Sequence, residues 1–131
     1  MTNGRAKGLN FERDVRRLII DHLGFDDVKR DLEQYRQGDR GDIIGVPGWV
    51  IECKRYSADR GSSGSYRPEW WEQVTTAANA QCCEPVLIYK YDRQPIRCVV
   101  LLSSINADYI EMDYTATISF DAWCMLVRES I

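Results

Sequence analysis

Apolar and polar positions along this chain recur with two different periods, and the switches between them mark out its elements. Over residues 8–23 the period is helical. Phe11, Val15, Leu18, Ile19 and His22 fall on one stripe, Arg13, Arg16 and Arg17 lie largely off it, and Gly24 is a natural stop. Residues 27–33 predict a short, charge-rich strand, followed by a polar loop over 33–40. Residues 41–46 and 49–56 then read as two strand arms around the turn dipeptide Pro47-Gly48, a tight hairpin. Residues 57–67, with two glycines and four serines, predict a mobile segment. Pro68 suits the first position of a second helix. Glu69 and Glu72 sit in its acidic first turn, and Trp70, Trp71, Val74, Ala77 and Ala78 form its inner side. Glu84-Pro85 ends that helix, and strands follow at 86–91 and 97–102 around a turn at 92–95. Residues 103–117 show no clear period. Ser119 can cap a last helix whose inner side is Phe120, Trp123, Cys124 and Val127. The order is helix, three strands, helix, two strands, helix. It predicts an α/β fold, a single domain over residues 1–131 with a mixed central sheet flanked by helices.

A chain of 131 residues with 44% hydrophobic and 28% charged residues is ordinary for one globular unit. Its longest apolar stretches are too short to cross a bilayer, and residues 1–7 lack the apolar segment of a secretory signal. The five cysteines are odd in number and match no zinc or haem spacing. The expectation is a reduced, cytoplasmic protein without structural disulfides and with no membrane partner. The formal net charge of −3 argues against a broad DNA-binding surface, but its distribution matters. Residues 103–131 carry −4, so the rest of the chain is +1 and leaves room for a local basic face.

The candidate chemistry sits on the hairpin. Alternation along the second arm points Glu52 and Lys54 to one side and Ile51 and Cys53 to the other. Pairing the arms about Pro47-Gly48 brings Asp42 level with Glu52, or one residue off if the turn register differs. Two carboxylates and an ammonium then converge, a donor set suited to a hard cation such as Mg²⁺ and to phosphate chemistry. Lys54 can bridge to either acid, or hold an attacking water and stabilise negative charge on a phosphoryl transition state. Position alone makes Glu12, early in the first helix, a dipole partner. Arg13, Arg30, Arg40, Arg55, Arg60 and Arg67 are candidates for phosphate contacts, which position a nucleic acid without reading its sequence. His22, on the core stripe, reads as a packed or capping residue rather than a general base. Trp70 and Trp71 read as core or dimer interface rather than a base-stacking platform.

The spacing Asp-x9-Glu-x-Lys resembles the PD-(D/E)xK nuclease superfamily, and within it the archaeal-type Holliday junction resolvases and their phage-borne relatives. Three features carry the narrower likeness, over roughly residues 4–90. They are Lys7-Gly8-Leu9-Asn10-Phe11-Glu12-Arg13 opening a helix, Gly24-Phe25 before a short strand ending near Arg30, and Gly41-Asp42-Ile43-Ile44-Gly45 leading into Val50-Ile51-Glu52-Cys53-Lys54. The resemblance implies a restriction-endonuclease-like domain with Asp42, Glu52 and Glu12 as ligands for Mg²⁺ (or Mn²⁺) and Lys54 as a catalytic residue. It also implies that Gln73 comes near the active site. It further implies a homodimer that nicks opposing strands of a four-way DNA junction, in the host cytoplasm if phage-encoded, with the 57–67 segment reaching into the junction. Two alternatives stay open: a related nuclease acting on flaps, nicks or duplex, and a catalytically silent domain that binds nucleic acid or protein.

Overall fold

The computed structural model describes residues 4–30, 41–57, 64–110 and 113–130. Helix α1 (Gly4–Leu23) is followed by strands β1 (Lys29–Arg30), β2 (Ile43–Ile44) and β3 (Trp49–Tyr56), then helix α2 (Pro68–Gln81) and strands β4 (Glu84–Tyr91) and β5 (Arg97–Leu101). Two short 3-10 turns (Leu102–Ser104, Ala107–Tyr109) lead to β6 (Thr115–Ser119) and helix α3 (Phe120–Glu129). The strands form one sheet in the order β1-β2-β3-β4-β5-β6. β3 and β4 run parallel, and the other neighbours are antiparallel. A parallel pair needs a crossover, and α2 supplies it.

Alternation along the central strands builds a core on each face. Ile51, Cys53, Val86, Ile88, Cys98 and Val100 point to the side covered by α1 and α3, where Phe11, Val15, Ile19, Trp123 and Val127 meet them. Val50, Leu87, Tyr89 and Val99 point to the other side, where Trp70, Val74, Ala77 and Ala78 of α2 pack. Burying residues of this size contributes roughly 1.5–3 kcal/mol each, so the sheet is held from both sides. All five cysteines are free thiols, and Cys53, Cys98 and Cys124 are buried. Burial raises the thiol pKa of each, that of Cys124 to about 11. Among the described residues no helix is long and apolar enough to cross a membrane.

Several expectations need correction. The first helix begins at Gly4 rather than residue 8. Residues without a clear period contain β6, which pairs with β5 over five residues from Arg97↔Ser119 to Leu101↔Thr115. The second helix ends at Gln81, where Cys82 adopts a left-handed conformation (φ 55°) in the position glycine usually fills. Trp70 is buried as expected, but Trp71 is only half-buried. His22 is exposed rather than in the core. Its Nδ1 lies 2.8 Å from Leu18 O, its Nε2 lies 3.4 Å from Asp121 Oδ1, and its ring meets Phe120 edge-on at 5.3 Å. The expected loop at 33–40 and most of the segment expected to be mobile lie outside the described residues.

Candidate active site

The hairpin register brings the two acids face to face. Ile43 pairs with Ile51, so Asp42 stands opposite Glu52. The turn is built by glycines: Gly45 has φ 105° and packs against the Asp27 carbonyl, and Gly48 has φ 81°. Gly41 lets the first arm approach the second closely, because a Cβ there would stand 2.6 Å from Ile51 O. The Asp42 N–H accordingly donates to Ile51 O at 2.7 Å, and Asp42 Oδ2 accepts from the Cys53 N–H at 2.7 Å. Backbone contacts thus fix both ends of this residue.

Glu52 is 1% exposed and Asp42 7%. Burial, then the charge of Asp42 and a side-chain hydrogen bond with it, push the Glu52 carboxyl up to about 9, against a smaller opposing effect of Lys54. The Glu52 carboxyl therefore keeps its proton through neutral pH in the metal-free protein. The Oε2 atom of Glu52 is buried without a hydrogen-bond partner. Lys54 follows two residues on, half-buried. Glu12 on α1 is also buried (7% exposed), and its Oε2 accepts from Arg30 Nη2 at 3.3 Å. Its charge adds to the upward pressure on Glu52.

These residues fit a hard divalent cation in part. Asp42 and Glu52 offer adjacent oxygens, one of them an orphaned buried atom, and their mutual repulsion is what a cation would relieve. Among the described residues, however, no three His, Cys, Asp or Glu side chains stand together as a ready-made coordination shell. Glu12 is near the pair but is held by Arg30. Two carboxylates suffice for Mg²⁺, which keeps waters and takes phosphate oxygens for its remaining positions.

The other expected site residues differ in their surroundings. Gln73 is exposed on α2. Arg13 is exposed on α1. Arg30 and Arg55 are not free phosphate donors in this structure, because each is engaged by a carboxylate. Arg30 holds Glu12, while Arg55 donates to Asp92 and to Tyr56 O. Arg67 lies over the rings of Tyr56 (4.7 Å) and Trp70 (5.3 Å), which stack on each other. Arg40 and Arg60 lie outside the described residues. Sequence reasoning missed three supports of the site: the Arg30 clamp on Glu12, the Cys53 N–H donated to Asp42, and the close approach at Gly41. A glycine directly before the aspartate was the legible signal for the last.

An aspartate on one hairpin arm, Glu-x-Lys on the next, and a mixed sheet between helices are the architecture of PD-(D/E)xK nucleases. The family described as "Phage putative PDDEXK endonuclease" matches residues 3–123, and the chain belongs to that family. Among solved structures, the chain is similar to Archaeoglobus fulgidus Hjc, a Holliday junction resolvase from an archaeal hyperthermophile. The identity is 23%, with 70% of each chain covered and a TM-score of 0.48. No curated protein matches the chain.

Proposed function

We propose that this member of an endonuclease family is a divalent-metal-dependent endodeoxyribonuclease that hydrolyses phosphodiesters in branched DNA. Four-way junctions are the preferred substrate, and a homodimer is the working unit. The observation that carries the metal-dependent chemistry is the level, buried Asp42–Glu52 pair with its orphaned oxygen, two residues before Lys54. The junction as substrate rests on the sequence resemblance around Lys7-Gly8, Phe11-Glu12 and the hairpin. A DNA substrate also implies action in the cytoplasm, that of a host if the chain is phage-encoded.

Asp42 and Glu52 would hold the cation, Mg²⁺ or Mn²⁺, with Glu12 completing the oxygen set. A divalent cation there supplies Lewis acidity, acidifying water and polarising a phosphoryl oxygen. Lys54 orients the attacking water by hydrogen bonding and offsets the charge that builds on the phosphoryl oxygens. The Cys53 N–H and Gly41 hold the Asp42 carboxylate in place before substrate arrives, so little reorganisation accompanies the chemistry. Arg30 keeps Glu12 aimed and partly neutralised until phosphate enters. Water attacks in line and the O3′ leaves, giving a 5′-phosphate.

A second reading is favoured by two specific observations. Arg30 and Arg55 are engaged by carboxylates, and residues 103–131 are acidic, which suits a smaller DNA footprint such as a flap or nick. One assay separates the two. Labelled four-way junction, flap and linear duplex are incubated with Mg²⁺, with chelator, and with the Asp42→Asn protein. Paired symmetrical nicks confined to the junction support the resolvase, and cutting confined to flaps or nicks supports the second reading. No cutting in Mg²⁺ or Mn²⁺ overturns both.

A further inference from the structure

On the α1 side of the sheet lies a cavity of about 540 Å³ that the hydrolytic site does not use. Its cations are Lys7, Arg55 and Lys90, from the first turns of α1 and the carboxyl ends of β3 and β4. Arg55 and Lys90 are direct partners across the parallel ladder. Two like charges side by side on neighbouring strands are unfavourable unless something negative joins them. Asp92 does so for part of the cluster, accepting from Lys7 Nζ at 3.3 Å and from Arg55. Its carboxyl is held below the usual range chiefly by the hydrogen bond from Arg55. Lys90 has no ion-pair partner among the described residues, so the cluster keeps a positive surplus facing the cavity.

The rest of the lining says what kind of anion would fit. Phe11, Leu18 and Ile96 give an apolar wall. Asn10 and Asp14 lie three and seven residues after Lys7, on the same helix face, and add an amide and a carboxylate. A bare phosphate would leave the apolar wall wet and would be repelled by Asp14. A nucleotide satisfies all three surfaces, with phosphate on Lys90, base against the apolar wall, and base-edge N–H groups donating to Asp14. Cavities of roughly 300–1,000 Å³ take ligands of that size.

We propose that this cavity is a subsite for one unstacked nucleotide of the DNA substrate, with its phosphate held by Lys90 beside the Lys7–Asp92–Arg55 cluster. The inference rests on the nucleic-acid reading above and deepens it, because unpaired or splayed nucleotides occur where DNA branches. The subsite would let the enzyme distinguish branched DNA from continuous duplex without reading sequence.

The test uses the full chain in chelator, so that no metal recruits phosphate to the carboxylate site. The protein is titrated with deoxycytidine 5′-monophosphate, deoxycytidine and inorganic phosphate, and followed by amide chemical shifts and calorimetry. The expected result is saturable binding of the monophosphate with shifts along residues 7–18, and at least tenfold weaker binding of the nucleoside and of phosphate. Lys90→Glu should weaken the monophosphate at least tenfold and Lys90→Arg should restore it, both with unchanged thermal midpoints. Absence of saturable binding, equal binding of bare phosphate, or indifference to Lys90→Glu would overturn the subsite. Cleavage of branched DNA by the same preparation in Mg²⁺ is scored separately. Cleavage without nucleotide binding removes the subsite alone, and nucleotide binding without cleavage removes the nuclease reading alone.

Discussion

Removing the Glu52 charge should make the metal-free protein more stable, and increasingly so as pH rises. In the folded chain the Glu52 carboxyl is pushed up to about 9, against 4.5 for the ordinary group. A raised value means that the folded state holds a proton the unfolded chain has released. Stability from that proton is complete below pH 4.5 and is lost as pH climbs toward 9. Each pH unit inside that window removes about 1.4 kcal/mol, so at pH 7 the metal-free fold gives up at most about 3.5 kcal/mol. Glu52→Gln keeps the shape, cannot ionise, and should escape the loss. Urea denaturation in chelator, read by tryptophan fluorescence, measures the difference, since Trp70 and Trp123 are buried reporters. Between pH 5.5 and 8 the advantage of Glu52→Gln over the parent should widen by up to about 3.5 kcal/mol. Added Mg²⁺ should then restore the parent by mass action, about 2.7 kcal/mol at a hundredfold excess over Kd, and leave the variant unmoved. Parallel pH profiles for the two proteins would refute the claim that Glu52 is held against its charge.

Three further outcomes are expected. Asp42→Asn should reduce DNA cleavage by roughly 10²–10⁴-fold in Mg²⁺ while the fold persists, checked by single-turnover kinetics alongside circular dichroism. Gly41→Ala should also depress cleavage although every carboxylate remains, because the new Cβ forces the first arm away from Ile51; an unaltered rate would show that this close approach does not position Asp42. Ser119→Ala should lower stability by about 1 kcal/mol, since Ser119 Oγ accepts from the Ala122 N–H at 3.1 Å at the start of α3, and Ser119→Asp should retain most of it.

What could be read from the sequence was whatever depended on short-range geometry. The facing of Asp42 and Glu52 follows from a two-residue period and a turn, and both are local. The α1 stripe through Phe11, Val15 and Ile19 and the cap at Ser119 are local in the same sense. Features decided by distant neighbours escaped. Thr115–Ser119 is an edge strand whose residues are only partly covered, so the burial contrast that reveals a strand is weak there, and its pairing with β5 supplies what the pattern lacks. His22 sits on the right helical angle but at the last turn of α1, where α3 covers it only from the side. The arginines were legible as cations but not as partners, because Arg30 with Glu12 and Arg55 with Asp92 are contacts across 18 and 37 residues. Cys82 ending α2 in a left-handed conformation had no signal at all in residue type.

The nine residues between Asp42 and Glu52 form a hairpin, so their number is a ruler folded in half. Lengthening each arm by one residue would leave the acids opposite one another, whereas one extra residue in a single arm would turn one acid to the opposite face of the sheet. The quantity the chemistry constrains is therefore the register of the arms rather than their length. A relative with seven or eleven intervening residues could keep this site intact, while one with ten would need its odd residue in the turn or in a bulge.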